Sequence, residues 1–405
     1  MVPALPLLLV LVAPLEPAAD PPPTPAQEVD RIRGFMAEAP GNGGVMYRLA
    51  QALARAEQAD EAVRWLDAAL DQGLDLDLAD PAFASLADRS DFAELKVKTI
   101  GLAPVSSSRI AFRIAESDLV PEGIAWDEKT GDFFVGSLAQ RKIVRVGADG
   151  RASDFAKSAA DGLEDVLGLK VDPSRRVLWA CTAASPRAGA AAGSSALFKY
   201  DLATGRFAKA YWIDNKDGKH LLNDVALTTD GDVFVTDSDA STVWRLAPGS
   251  DGLEVFVGPG SFLYPNGIAL APDGKRLYVA DFKRGLSVVD VATKASRPLP
   301  FPAGVSTAGI DGLYTVGGDL VAVQNGAGRE RIVRYRLDPT GERILALEVL
   351  ESRNPFFRTP TTGVPTSDAF VYLANPNLDA LDDDGNVKKD ARKDDEVVVL
   401  RTPLR

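Results

Sequence analysis

The sequence is poor in the residue types that build thiol and imidazole sites. Among its 405 residues it has one cysteine, Cys181, and one histidine, His220. One cysteine excludes an internal disulfide and a cysteine-based metal cluster, and we predict that Cys181 is a packed core thiol. One histidine excludes a mechanism that uses a pair of histidines.

Positive charge is also scarce. Lysine and arginine number 45 against 57 aspartate and glutamate residues, so the formal net charge is −12. The chain shows no basic stripe of the kind that contacts phosphate backbones. We therefore expect no nucleic acid partner.

Long apolar runs are lacking as well. The clearest run lies within residues 1–19 and is too short to span a bilayer as a helix. Small residues near Ala19 suit signal peptidase, so we interpret residues 1–19 as a signal peptide, although no Lys or Arg precedes the run. This predicts an exported protein, periplasmic or secreted, with no membrane span in the mature chain. A misassigned start codon or a disordered tail is the alternative.

A short motif recurs along most of the chain. In its clearest copy, residues 264–281, apolar residues at every second position flank the turn Pro272-Asp273-Gly274, which predicts two strands joined by a hairpin. Close copies occupy residues 121–137 and 221–237, and looser copies occupy residues 168–182, 309–325 and 361–375. One position just before the first strand marks each copy: Glu122, Val166, Asn223, Asn266, Asp311 and Thr362.

These marker positions are 43 to 57 residues apart. A repeat of this length, with one strand pair and one or two further strands, is typical of a β-propeller blade. We predict a propeller over residues 108–405, closed by pairing of residues 109–114 with residues 396–400. We predict that residues 183–195 form a flexible rim loop. We predict that residues 378–390 form a charged hairpin loop rather than an EF-hand, because they lack ligands at the first and twelfth positions.

The region before the propeller has a helical pattern. After a Pro-rich linker at residues 20–28, apolar residues recur with a period near 3.6, and two helices are predicted to meet near residues 58–60. We predict that residues 29–103 form a tetratricopeptide-like α-helical segment. A single such unit is not expected to be stable alone, so it should pack on the propeller or on a protein partner. A helical cap without a separate function is the alternative.

Polar residues at four marker positions suggest a metal site. The inner strands of a propeller line its central tunnel, so residues at equivalent positions of different blades converge near the axis. Glu122, Asn223, Asn266 and Asp311 together offer two carboxylates and two amide oxygens. Ca²⁺ readily accepts such hard oxygen ligands, whereas zinc prefers His or Cys. The sequence therefore predicts Ca²⁺, or another divalent cation, in the tunnel.

The ordered set Glu, Asn, Asn, Asp, in the contexts PEGIAWD, LNDVAL, PNGIAL and IDGLYT, resembles the senescence-marker-protein (regucalcin)/gluconolactonase family. The resemblance covers roughly residues 108–405. It implies a six-bladed β-propeller in which Glu122, Asn223, Asn266 and Asp311 hold a catalytic calcium. It further implies a hydrolase that opens a lactone or related ester, with Asp311 activating water or attacking a small-molecule substrate directly.

Several further residues have two interpretations. Ser137, Asp237, Asp281, Asn325 and Asn375 end the strand pairs, where they are predicted to contact substrate or support the metal ligands, or else to cap turns. His220 is either a general base or substrate contact, or an exposed loop residue.

Two functions remain open at this point. The chain as a whole is either a calcium-dependent hydrolase or a non-catalytic propeller that binds a ligand or protein through its rim and helical segment. The four-residue set favours the hydrolase, since two facing carboxylates need a compensating cation.

Overall fold

A computed structural model describes residues 23–100, 104–216, 218–389 and 396–404. Residues 1–19, which we interpret as a signal peptide, lie outside the described residues. Within the described ranges, no helix combines the length and the apolar character needed to cross a lipid bilayer.

The N-terminal part of the described chain forms a helical unit. Its four α-helices are α1 (Pro25–Glu38), α2 (Gly43–Arg55), α3 (Ala59–Leu70) and α4 (Ser90–Ile100), with a 3₁₀ helix at Pro81–Leu86. The boundary of the predicted linker needs correction, because α1 begins inside residues 20–28. Thr24 and Gln27 form a reciprocal capping box, in which each side chain accepts from the other residue's backbone N–H, and Pro25 starts the helix.

The helical unit has its own apolar core. Leu49 and Leu53 of α2 are fully buried against Leu66 of α3, as the helical period predicts. Phe83 and Phe92 fill the space below these helices. Because this core is shared by all the helices, the unit presents its remaining surfaces to the propeller and to solvent.

Residues that follow the helical unit form a six-bladed β-propeller, with six four-stranded antiparallel sheets in the described residues. The first three blades contain β2 (Pro121–Trp126), β3 (Phe133–Ser137), β4 (Ile143–Val146), β5 (Ala152–Ala156); β6 (Asp165–Asp172), β7 (Val177–Ala183), β8 (Ser195–Asp201), β9 (Phe207–Ile213); and β10 (Leu222–Leu227), β11 (Val233–Asp237), β12 (Thr242–Leu246), β13 (Glu254–Val257).

The last three blades follow the same plan. They contain β14 (Pro265–Leu270), β15 (Arg276–Asp281), β16 (Gly285–Asp290), β17 (Ser296–Pro298); β18 (Ile310–Val316), β19 (Asp319–Gln324), β20 (Arg331–Leu337), β21 (Ile344–Ser352); and β22 (Gly363–Pro365), β23 (Ala369–Leu373), β24 (Val397–Pro403) with β1 (Arg109–Ile114).

The ring closes in the last blade. β1 pairs antiparallel with β24, and Ile114 lies opposite Val397. The predicted pairing of the two chain ends is therefore confirmed. Closure matters because it leaves neither end of the ring with an unpaired strand edge.

The innermost strand of each blade carries the marker position. In five blades this position is the second residue of the strand rather than a residue before it, and the pairing register shifts by one residue there. Glu122, Asn223, Asn266 and Asp311 all lie in this unpaired interval. A local irregularity of this kind turns side chains out of the regular ladder, so it directs these four towards the axis.

Glycine follows the marker residue in three of these strands, and at two of them the neighbouring blade approaches closely. A Cβ atom on Gly123 would overlap the carbonyl oxygen of Leu167, and one on Gly267 would overlap that of Asp311. The side-chain volume at these positions therefore limits how tightly the inner strands converge.

We predict that Gly123→Ala destabilises the propeller by roughly 1–3 kcal/mol, the range for overpacking a closely packed site. Denaturant unfolding measures the change. Gly252→Ala is the matched control, since a Cβ atom there meets no heavy atom within 4 Å. Equal stabilities of the two variants would contradict the close approach of the first two blades.

The helical unit lies on the propeller face where the inner strands begin. Arg353, which follows β21, forms a two-point ion pair with Asp75, with Nε–Oδ2 at 2.6 Å and Nη2–Oδ1 at 2.8 Å. Asn42 Nδ2 donates to the Lys283 carbonyl at 2.8 Å in the loop after β15. The end of β15 pairs with the start of β14. The helical unit therefore covers part of the face that carries the marker residues.

Candidate metal centre

Four inner strands bring the candidate ligands to one region of the tunnel. Glu122, Asn223 and Asp311 line a single cavity of about 150 Å³, and Asn266 donates to Asp311, from Nδ2 to Oδ1 at 2.8 Å. All four side chains are at most 5% exposed. The structure therefore places together residues that are as much as 189 positions apart in sequence.

Hydrogen bonds orient the amide groups of this cluster. Asn223 Nδ2 donates to Ser238 Oγ at 3.0 Å, and Ser238 in turn donates to the Pro265 carbonyl. Asn325 Nδ2 donates to Asp311 Oδ2 at 2.7 Å. Because the amide nitrogens are occupied as donors, the amide oxygens of Asn223 and Asn266 are turned towards other partners.

Burial and like charge act strongly on the carboxyl groups. Burial, with the nearby Asp311 and Asp224 carboxylates, raises the pKa of Glu122 well above its usual value. Burial also raises the pKa of Asp311 to about 7, although hydrogen bonds from Asn325 and Asn266 act in the opposite direction. Within the described residues, Glu122 Oε2 is buried and has no hydrogen-bond partner. This uncompensated oxygen is costly in an apolar interior.

A third carboxyl group lies beneath these two. Asp224 accepts hydrogen bonds from the backbone N–H groups of Val225 and Ile268. Burial raises the pKa of Asp224 to about 6, while the Lys170 ammonium lowers it. Both of its oxygens accept a backbone hydrogen bond, and the group adds a third negative charge near Glu122 and Asp311.

The donor set fits a hard divalent cation. It offers the Glu122 and Asp311 carboxylates and the Asn223 and Asn266 amide oxygens, which are ligand types that Ca²⁺ accepts. Among the described residues, no group of three or more His, Cys, Asp or Glu side chains suited to a metal is found. Half of the candidate set consists of amides, so it does not depend on such a group.

Comparison with known protein families identifies the family to which the chain belongs. The family model for the SMP-30/gluconolactonase/LRE-like region matches residues 120–353, which is more than half of the chain. The chain belongs to this family. A search of curated proteins found no match.

Solved structures similar to this family member share its fold at low identity. The PQQ-bound aldose sugar dehydrogenase of Streptomyces coelicolor is 18% identical with a TM-score of 0.51, covering 74% of this chain and 100% of that one. A gluconolactonase of Xanthomonas campestris is 17% identical with a TM-score of 0.50, covering 75% and 97%. The calcium-binding protein regucalcin of Agrobacterium tumefaciens is 18% identical with a TM-score of 0.50, covering 74% and 95%. At these identities the likeness establishes the propeller fold alone.

Two loops of this family member form the outer wall of the cavity. Ala184 and Pro186 belong to the insertion after β7, and Leu381 and Asp382 belong to the C-terminal loop. Arg187, in a 3₁₀ helix at Pro186–Ala191, bonds to Asp165 and to the Gly385 carbonyl. The two segments that lack strand periodicity therefore meet over the candidate site.

His220 also lies in the cavity wall. Its side chain is 11% exposed, and its Nδ1 lies 2.7 Å from Asp237 Oδ2. The interpretation of His220 as an exposed loop residue is therefore wrong, because Asp237 at the end of β11 draws the imidazole inwards. Trp244 Nε1 donates to the same carboxylate oxygen at 3.0 Å. The bond to Asp237 raises the pKa of His220.

The other strand-end residues have different surroundings. Asn325 contacts Asp311, as described above. The Asp281 carboxylate accepts from the backbone N–H groups of Leu263, Lys283 and Arg284. Ser137 donates to the Leu119 carbonyl, and Asn375 bonds to the backbone of β24 and of the residue before it. These three side chains bond to backbone groups, whereas Asn325 and Asp237 contact side chains that line the cavity.

Three residues near the centre escaped the sequence analysis. Asp224 occupies the position after the marker residue, where three other inner strands have glycine. Tyr264 precedes β14 and lines the cavity, and Ser238 follows β11 and holds Asn223. The departure from glycine in LNDVAL was a usable signal for Asp224. Tyr264 and Ser238 had none, because tyrosine and serine are ordinary at strand ends.

We predict that Asp237→Asn lowers the pKa of His220, because the variant removes the anionic acceptor. The chain's single histidine gives one imidazole resonance, so an NMR pH titration of untagged protein measures this pKa directly. The pair stabilises the fold below the ordinary histidine pKa, and this contribution is lost as the pH rises through the raised value.

Asp281→Asn is the matched control for this titration. Asp281 ends the corresponding strand of the next blade but bonds only to backbone N–H groups, so its variant should leave the His220 pKa unchanged. Identical titration curves for the wild type and Asp237→Asn would contradict the pairing.

Proposed function

We propose that the chain is a calcium-dependent hydrolase that opens a lactone or related ester in the propeller tunnel. The observation that carries the proposal is the buried Glu122 Oε2, which has no partner among the described residues and faces the second carboxylate, Asp311. A divalent cation compensates two such charges. Membership of the gluconolactonase-like family supports the same reaction class.

Glu122, Asn223, Asn266 and Asp311 would hold the Ca²⁺, or another divalent cation. When bound, such a cation polarises the carbonyl oxygen of an ester. Asn266 and Asn325 each donate to one oxygen of Asp311 and so hold its carboxylate in place. Asp311 would then take the proton of the attacking water or attack the substrate itself.

His220 is a second candidate for the proton acceptor. Asp237 engages its Nδ1, which leaves Nε2 to take a proton, and the same pairing stabilises the imidazolium that results. The apolar residues Leu167 and Leu378 line the cavity beside these groups, where they would contact the apolar part of the substrate.

We also propose that the protein is exported. The apolar run in residues 1–19 supports a periplasmic or secreted enzyme acting on a small molecule.

We predict that Glu122→Gln weakens Ca²⁺ binding by at least about tenfold, because it removes one of the two ligand charges while keeping the side-chain size. Calorimetric titration of chelator-stripped protein measures the affinity. Glu128→Gln, in an exposed turn of the same blade, is the control and should bind like the wild type. Equal calcium affinities in all three proteins would contradict a calcium site in the tunnel.

Calcium affinity is expected to rise with pH up to about pH 7. The Asp311 carboxyl, whose pKa is about 7 without metal, must lose its proton to become a ligand, so binding releases protons. Titrations in two buffers with different ionisation enthalpies measure this release. An affinity that is constant from pH 6 to pH 8 would contradict a buried carboxyl ligand.

We predict that Asp311→Asn loses about 10²–10⁴-fold in lactone hydrolysis at saturating Ca²⁺, the range for removing a general base. A panel of lactones followed by acid release is the measurement. His220→Gln separates the two candidate bases: near wild-type turnover in this variant assigns the proton transfer to Asp311, whereas a large loss in His220→Gln with turnover retained in Asp311→Asn assigns it to His220. Undiminished turnover in both variants would contradict the proposed chemistry.

A non-catalytic binding module is the second candidate function. The observation that favours it is the helical unit packed on the cavity-bearing face, because a small-substrate hydrolase does not need this addition. In that case the rim and the helical unit would bind a ligand or protein partner. Absence of calcium binding and of lactone turnover would favour this function.

A further inference from the structure

A second cavity lies between the helical unit and the propeller. It has a volume of about 170 Å³. One wall is formed by α1 and α2, and the other by the segments around Tyr264 and after β15. We call it the interface cavity. Its walls include Arg31, Phe35, Arg48, Tyr264, Phe282 and Lys283.

The interface cavity is cationic in a chain with a net charge of −12. Arg31, Arg48, Arg55 and Lys283 line it, and the one acidic residue in its lining, within the described residues, is Glu28. Glu28 is already paired with Arg31, whose Nε and Nη2 lie 2.9 and 2.8 Å from its carboxylate oxygens. Among the described residues, the other three cationic groups, Arg48, Arg55 and Lys283, form no ion pair with the cavity walls.

Arg48 is the least compensated of these groups. It is half-buried in α2, and among the described residues no hydrogen bond or ion pair involves its guanidinium. Burial and the neighbouring Arg31 lower its pKa, while the Glu28 carboxylate acts in the opposite direction. Removing a guanidinium from water without an acceptor is costly, so an acceptor supplied from outside the chain would stabilise it.

The cavity is held by well-packed contacts. Asn42 caps α2 through its Oδ1, which accepts from Val45 N at 3.1 Å, while its Nδ2 donates to the Lys283 carbonyl. Gly44 approaches Gly326 so closely that a Cβ atom would overlap the Gly326 carbonyl oxygen. The start of α2 and the loop that carries Lys283 are therefore fixed to one another.

Aromatic rings form the remaining lining. Lys283 Nζ lies 5.9 Å from the centre of the Phe35 ring and 6.0 Å from that of Tyr264. The Tyr264 and Phe282 rings pack edge to face with their centres 6.3 Å apart. Such a surface accommodates an apolar group beside a charged one.

We propose that the interface cavity binds a small organic anion, a carboxylate or a phosphate monoester with an apolar substituent. Arg48 would bind the anionic group through its planar guanidinium, with Lys283 as a second cation. Phe35 and Phe282 would contact the apolar substituent. The proposal does not depend on the metal centre, although Tyr264 contributes to both cavities.

The test uses the full chain, stripped of metal, and four probes followed by calorimetry. Phenyl phosphate and benzoate carry both recognised features, inorganic phosphate lacks the apolar group, and phenol lacks the charge. We expect phenyl phosphate, benzoate or both to bind more tightly than inorganic phosphate and phenol. The better of the two identifies the anionic group.

Two variants and two controls locate the binding. Arg48→Met should lower the affinity for the probe at least tenfold, and Lys283→Met should lower it to a smaller extent. Arg64→Met, at an exposed position on α3, and Glu122→Gln, in the tunnel, should both bind it like the wild type. Loss of probe binding in Glu122→Gln but not in Arg48→Met would overturn the proposal.

A stability measurement separates this role from a structural one. Without probe, Arg48→Met should have a melting temperature equal to or above that of the wild type, because it removes a half-buried charge that has no ion-pair partner among the described residues. A lower melting temperature together with unchanged probe affinity would make Arg48 a structural residue and overturn the proposal. Failure of all four probes to bind the wild type would also overturn it.

Discussion

Two carboxylates, Glu122 and Asp311, are buried together at the propeller axis, and their repulsion is the constraint on which the centre depends. Burial raises the pKa of both groups; the Asp311 and Asp224 carboxylates further raise that of Glu122, and Asp224 further raises that of Asp311. The surrounding side chains respond to this charge: Asn266 and Asn325 donate to Asp311, while Glu122 Oε2 remains without a partner among the described residues. Burying both carboxylates costs a large amount of free energy unless a positive charge lies beside them.

The propeller supplies this arrangement through one repeated local feature. In each of the four strands that carry a candidate ligand, the pairing register shifts at the ligand position. Three of these strands then have glycine, which at Gly123 and Gly267 lets the neighbouring blade approach. The fourth has Asp224, which uses the same space to bond to the backbone of the next blade at Ile268. The same local strand geometry therefore positions both the candidate ligands and the Asp224 carboxyl group near them.

The helical unit completes the face on which the tunnel opens. Its contacts through Asp75 and Asn42 place α1 and α2 beside the loops that follow the inner strand pairs. The result is two neighbouring cavities of opposite character, one lined by carboxylates and one by guanidinium and ammonium groups. Tyr264 separates them and contributes to both. The helical addition therefore changes what the propeller face can bind.

The blades, their order and the four polar positions could be predicted from the sequence, because strand alternation and turn residues such as Pro272-Asp273-Gly274 are local properties. The surroundings of individual side chains could not. His220 was open between a surface and a cavity role, and only the position of Asp237 across the blade places it in the wall.

The surroundings of Arg48 could not be predicted from the sequence either. In sequence Arg48 is one cation on an amphipathic helix. Only the packing of α2 against the propeller places it near Lys283 with no hydrogen-bond or ion-pair partner among the described residues. Periodicity along the chain therefore determined the architecture and the positions that converge. Tertiary packing decided which charges are compensated, because compensation depends on contacts between segments that are far apart in sequence.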